Sequence, residues 1–120
     1  MSYGPEDMFL PLADGRIREV TRSPEDIGEV LDKLYLLLEE RKDASPTSSY
    51  TAALLSESED RLLKKIGEEA TEVVIAAKAA DVEQLRYEIA DLLYHLTVTM
   101  VRYGLTFDDI AQELIRRRRG

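Results

Sequence analysis

Leu62-Leu63-Lys64-Lys65-Ile66-Gly67-Glu68-Glu69-Ala70-Thr71-Glu72-Val73-Val74, followed after a short break by Leu85-Arg86-Tyr87-Glu88-Ile89-Ala90-Asp91-Leu92-Leu93-Tyr94-His95-Leu96, decides the fold of this chain. Apolar residues recur at the three- and four-residue spacing of a helix face: Leu62, Leu63, Ile66, Ala70, Val73, Val74 and Ala77 in the first stretch, Leu85, Ile89, Leu92, Leu93, Leu96 and Met100 in the second. Both stretches are predicted to be core helices with their acids beside the buried stripes. Glu69 and Glu72 neighbour each other on one helix, as do Glu88 and Asp91 on the next. Like charges at these spacings cost an isolated helix about 0.2–0.5 kcal/mol per pair, so water or a cation has to offset them. A hard divalent cation such as Mg²⁺, which takes oxygen ligands and bridges carboxylates to substrate phosphates, suits four acids from two facing helices. The competing reading is a solvated acidic face, which 24 Asp and Glu against 16 Lys and Arg make common by chance.

Outward from these helices the chain punctuates itself. Ser23-Pro24-Glu25-Asp26 is a helix start with Ser23 as N-cap, and that helix is expected to run to about Arg41, burying Ile27, Val30, Leu31, Leu34, Leu37 and Leu38. Asp43 to Ser49, with Pro46, reads as a loop. A long helix is expected from Ser56 or Glu57 to Ala79. Asp81 caps the next, which Gly104 ends near Tyr103, and Thr106 caps a last helix with Phe107, Ile110, Ala111, Leu114 and Ile115. Residues 1–22 carry Pro5, Pro11, Gly4 and the Asp14-Gly15 turn signal and read as an N-terminal extension. Residues 23–120 form the helical domain. No alternating strand pattern follows residue 22, so the expected class is all-α, a four-helix-bundle-like fold.

Composition excludes several functions. With no cysteine there is neither a disulfide framework nor a thiolate site. A net charge of −8 argues against a nucleic-acid partner, which needs clustered cations. The run Arg116 to Arg119 is the exception, and it equally suits the last turn of a helix. No segment approaches the roughly 20 apolar residues that span a bilayer, and no basic-then-apolar leader opens the chain. A cytoplasmic protein with no membrane partner is expected.

Other side chains share the faces of the acids. Glu88, Asp91 and His95 stand three and four apart on one stripe; His95 reads either as a satisfied core histidine or as a group touching phosphate or orienting a ligand. Arg61 and Lys65 lie about two turns and one turn before Glu68, as triphosphate contacts or as intrahelical partners of the glutamates. Glu68, about 100° round the helix from Glu69, reads as a proton acceptor for an attacking water or as a solvated acid.

Ser49-Tyr50-Thr51-Ala52, Asp60-Arg61-Leu62, Lys65-Ile66-Gly67-Glu68-Glu69-Ala70-Thr71-Glu72 and Glu88-Ile89-Ala90-Asp91-Leu92-Leu93-Tyr94-His95 together resemble the phosphoribosyl-ATP pyrophosphohydrolases of histidine biosynthesis, over about residues 30 to 118. The Glu-x-x-Glu and Glu-x-x-Asp pairs alone resemble the broader all-α nucleoside triphosphate pyrophosphohydrolases. The resemblance implies Mg²⁺-dependent hydrolysis of phosphoribosyl-ATP to phosphoribosyl-AMP and pyrophosphate, with Glu69, Glu72, Glu88 and Asp91 as metal ligands. It also implies substrate contacts from the loop residues Ser49, Tyr50 and Thr51 and an intertwined homodimer. The alternatives are a house-cleaning nucleotide pyrophosphatase of the same superfamily and a non-catalytic dimeric helical module. The family usually has glycine where this chain has Ser58, and the extension has no counterpart; 22 residues without metal-ligating cysteines do not amount to the cyclohydrolase domain fused to some members.

Overall fold

A computed structural model describes residues 25–45 and 47–118. Among them are five helices, α1 (Ile27–Arg41), α2 (Tyr50–Ser56), α3 (Glu59–Lys78), α4 (Val82–Tyr103) and α5 (Phe107–Arg117), and no strand. The all-α expectation holds, with one helix more than the four anticipated.

The additional helix corrects the reading of Tyr50 and Thr51 as loop, while Ser49 stays outside it. Ser49 is the N-cap of α2, its hydroxyl oxygen accepting the Ala52 N–H at 3.0 Å, and Tyr50 and Thr51 form the first turn. Burial of Ala52, Ala53, Leu54 and Leu55 holds this short helix, which is too short to be stable alone. Glu57 is extended and ends α2, and Ser58 caps α3 by accepting the Asp60 N–H at 3.3 Å. With φ at −52°, Ser58 needs none of glycine's freedom, so the departure at this position is absorbed by a cap. At the other end of the chain Asp26, accepting from the Glu29 N–H at 2.9 Å, caps α1; the expected cap Ser23 and Pro24 lie outside the described residues, as does the extension.

The α3–α4 turn is a Schellman motif. The Ala80 N–H donates to Ala77 and the Asp81 N–H to Ala76, while Ala80 sits at φ 56° and Asp81 caps α4 through the Gln84 N–H. At the far end of α4 Gly104 occupies the same left-handed region at φ 76°, as expected of a glycine there. Thr106 and Asp109 then cap α5 reciprocally.

Leu38, Leu54, Leu55, Leu62, Val98 and Val101 make the core, with Leu34, Tyr35 and Tyr94 against it. Arg102 donates to the Leu54 carbonyl at 2.8 Å, and the Tyr35 hydroxyl donates to Leu105, joining α4 to α2 and α1 to the start of α5. Burial bears out part of the expected faces, with Leu38 and Leu62 buried and Leu34 against the core, and corrects the rest. On α1 only Leu38 is fully buried, while Ile27, Val30 and Leu37 are exposed. On α4 the face turned inward is Glu88, His95, Thr97, Val98 and Val101, whereas Ile89 and Leu96 of the apolar stripe are exposed. On α3 Glu69 is buried, and Leu63 and Val74 are not. The helices face each other through their acids and turn much of their apolar surface outward. Along the α3–α4 contact Glu69 and Glu88 are buried toward the turn, while Leu62, Val98 and Val101 are buried toward its other end.

Candidate active site

The acid cluster is built by the α3–α4 hairpin. Because α3 reverses through the Ala80 turn, Glu69 and Glu72 come to face Glu88 and Asp91. One carboxylate or ring atom each from Glu69, Asp91 and His95 lies within 4.8 Å of the others, and the same holds for Glu69, Glu72 and Glu88. Glu69 belongs to both groups and is the centre of the site.

Glu69 is 1% exposed, and neither of its oxygens accepts a hydrogen bond from any described residue. Its Oε1 does stand 2.6 Å from His95 Nδ1. That nitrogen is aimed instead at the Asp91 carbonyl, 3.0 Å away, so the approach to Glu69 is a close contact rather than a directed bond. Burial first, then Asp91 beside it, pushes the Glu69 carboxyl up to about 7, against a pull downward from Lys65. Glu88 is raised chiefly by its contact with the Glu72 carboxyl and next by burial, with Gln84 partly countering. Carboxylates driven together and deprived of donors favour a proton in the empty protein and a cation when one is offered. The four acids therefore fit an oxygen-preferring divalent ion.

A cationic and aromatic wall stands at the Glu69 end. The Arg61 guanidinium lies 4.9 Å from the centroid of the Tyr50 ring, and Lys65 acts electrostatically on both Tyr50 and Glu69. The Tyr50 hydroxyl is 3.0 Å from His95 Nε2, and Thr51 shares a short hydrogen bond with the Tyr94 hydroxyl. Of the residues nominated from sequence, Glu69, Glu72, Glu88, Asp91 and His95 come together, with Tyr50, Arg61 and Lys65 alongside. Glu68 is exposed and is not one of the clustered acids. Ser49 and Thr51 use their hydroxyls on the α2 cap and on Tyr94.

Two residues escaped notice. Gln84 supports Glu88 from one turn earlier, a relation readable from the i, i+4 spacing. Tyr94 packs edge-on against His95 with centroids 5.0 Å apart and reaches Thr51, a contact across 43 positions that no local pattern announces.

Fold and site together define an all-α protein whose central helical hairpin holds a carboxylate cluster suited to a divalent cation. Residues 31–118 match the family described as phosphoribosyl-ATP pyrophosphohydrolase, and the chain belongs to that family. It is 53% identical over 89 residues to the phosphoribosyl-ATP pyrophosphatase of Leptospira biflexa, covering 74% of this chain and 97% of that one. It is 49% identical over 87 residues to the enzyme of that name from Limosilactobacillus fermentum, 72% of this chain and 82% of the other. The histidine biosynthesis bifunctional protein HisIE of Thermus thermophilus is 44% identical over 102 residues, which are 85% of this chain and 48% of that protein.

Proposed function

We propose that the chain hydrolyses the α–β phosphoanhydride of phosphoribosyl-ATP, giving phosphoribosyl-AMP and pyrophosphate, as an early step of L-histidine biosynthesis in the cytoplasm. Family membership supplies the substrate. The observation that carries the chemistry is Glu69, buried between Asp91, Glu72 and Glu88 with two oxygens that nothing described donates to. In this reading Glu69, Glu72, Glu88 and Asp91 hold Mg²⁺. When bound, the ion neutralises phosphate charge and makes a coordinated water a better nucleophile near neutral pH.

The protein's own groups do the rest. Arg61 offers a forked donor set and Lys65 a point charge to the phosphate oxygens, both at the Glu69 end of the cluster. Glu68, exposed on the same helix, is the assigned proton acceptor for the attacking water. Ser49 and Thr51 shape α2, and Tyr50 supports Arg61. Glu68→Gln separates proton transfer from ligation, since it should lower turnover while leaving Mg²⁺ affinity in place.

We also assign the working form as a homodimer. Val74, Ile75 and Val82 are more than 60% exposed, and a groove of about 420 Å³ on α4 is lined by Val82, Leu85, Ile89, Ala90, Leu93 and Arg86. A radius of gyration of 16.7 Å exceeds the about 13 Å of a compact chain near 100 residues. A second copy laid along α3 and α4 would bury these faces. Light scattering that returned a monomer at micromolar concentration would count against it.

The deciding experiment is incubation with phosphoribosyl-ATP and Mg²⁺ and identification of both products. Equal or better turnover of ordinary nucleoside triphosphates would replace this reading with that of a house-cleaning pyrophosphatase. Full residual Mg²⁺-dependent activity in Asp91→Asn would remove the metal assignment.

A further inference from the structure

His95 is 4% exposed, and both of its ring nitrogens already face protein groups. Nδ1 lies 3.0 Å from the Asp91 backbone carbonyl, which can only accept, so the hydrogen belongs to Nδ1. Glu69 Oε1 lies 2.6 Å from the same nitrogen as a close contact off the direction of that bond. On a neutral ring Nε2 is then the acceptor, and the Tyr50 hydroxyl, 3.0 Å away, donates to it. Tyr94 and Tyr50 stand nearly perpendicular to the imidazole, with interplanar angles of 88° and 82°, and clamp its plane. Tyr50 is itself 41% exposed and carries the Arg61 guanidinium on its ring. One continuous line of contacts thus joins the buried acid Glu69 to the surface cation Arg61, and the imidazole is its middle link.

We infer that His95 is a positioning residue of the phosphohydrolase site proposed above: its ring, anchored from Nδ1 on the Asp91 backbone carbonyl and lying against Glu69, fixes Tyr50 from Nε2, and so sets the seat of Arg61 without touching substrate. What it positions rests on that functional reading; how its ring is held does not. The arrangement gives the short helix α2 a functional purpose. The buried Ala52, Ala53, Leu54 and Leu55 seat the helix in the core, and two hydroxyl contacts, Tyr50 to His95 and Thr51 to Tyr94, fix its first turn against α4. Loosening the first lets the Tyr50 ring, and the cation on it, move relative to the acids. Substrate binding should suffer more than the chemical step.

The chain has a single histidine, so the full protein labelled with ¹⁵N in that residue yields one imidazole spin system. At about pH 8, above the ordinary histidine range, long-range proton–nitrogen correlation is expected to show Nδ1 protonated and Nε2 bare. Tyr50→Phe keeps the ring under Arg61 and removes the donor. It should move the Nε2 resonance, leave Nδ1 protonated, and raise KM for phosphoribosyl-ATP about fivefold, the worth of one hydrogen bond, with kcat changed by a smaller factor. His95→Asn, which retains a donor toward Asp91 and lacks Nε2, should reproduce that KM. An Nε2-protonated ring, or a Tyr50→Phe protein with unchanged Nε2 resonance and KM, overturns the inference. Should His95→Asn fail to fold, Tyr50→Phe decides alone. The spectrum needs neither substrate nor metal, so failure to hydrolyse phosphoribosyl-ATP would sink the functional reading while the ring's tautomer stood or fell on its own resonances.

Discussion

Replacing Glu69 by Gln should make the metal-free protein more stable and the enzyme inactive. The Glu69 carboxyl sits at about 7 instead of 4.5 because it is buried among acids with no donor of its own. A gap of that size corresponds to on the order of 3 kcal/mol against the ionised form at about 1.36 kcal/mol per unit. The pull of Lys65 is already contained in that net shift. The sign follows from proton linkage. The folded protein holds the proton more tightly than the unfolded chain, so the contribution to stability is complete below about 4.5 and is lost as pH rises through about 7. Urea unfolding in EDTA should show the natural protein weakening between those limits, while the Glu69→Gln variant keeps a flatter profile and exceeds it at about pH 8 by about 1–3 kcal/mol. Added Mg²⁺ should restore the natural protein at that pH through binding to the native state alone. It should do nothing comparable for Glu69→Gln, whose Mg²⁺-dependent hydrolysis should be lost. A Glu69→Gln protein less stable than its parent at about pH 8 without metal would show that the carboxylate is not under electrostatic strain, and the argument for a cation at this place would go with it.

Two backbone predictions follow from the same hairpin. Ala80 holds φ 56° without glycine's freedom, so Ala80→Gly should stabilise by about 1 kcal/mol, seen as a higher urea midpoint at unchanged slope; a lower midpoint would refute the left-handed assignment. Gly67 lies inside α3, and a Cβ built there meets nothing within 4 Å. Gly67→Ala should therefore raise helix stability by about 0.8–1 kcal/mol, read as an increased Tm. A fall in Tm would mean that this open face is covered in the working protein.

Local signals were legible because they act over a few residues. Asp81, Gly104 and Thr106 bound α4 and α5 as their side chains and backbone preferences dictate, and the i, i+3 spacing of Glu69 with Glu72 and of Glu88 with Asp91 put each pair on one face. The start of α1 moved to Asp26 because two good caps stand close together, and α2 was missed because seven residues fall below the length at which periodicity speaks.

By itself, then, the sequence determined that the chain is helical, where most of its helices end, which acids can act together, and through its motifs the family to which it belongs. Only the tertiary structure decided which face of each helix turns inward. An amphipathic pattern records that two faces differ, and the partner across the interface selects which one is buried. Here the partner of α3 is α4, and their meeting places Glu69 out of water, leaves Glu68 in it, and turns Val74 and Ile89 outward. The line from Arg61 through Tyr50 and His95 to Glu69 belongs to the same class of fact: Tyr50 and His95 are 45 positions apart, and nothing short of folding brings a hydroxyl to an imidazole over that distance.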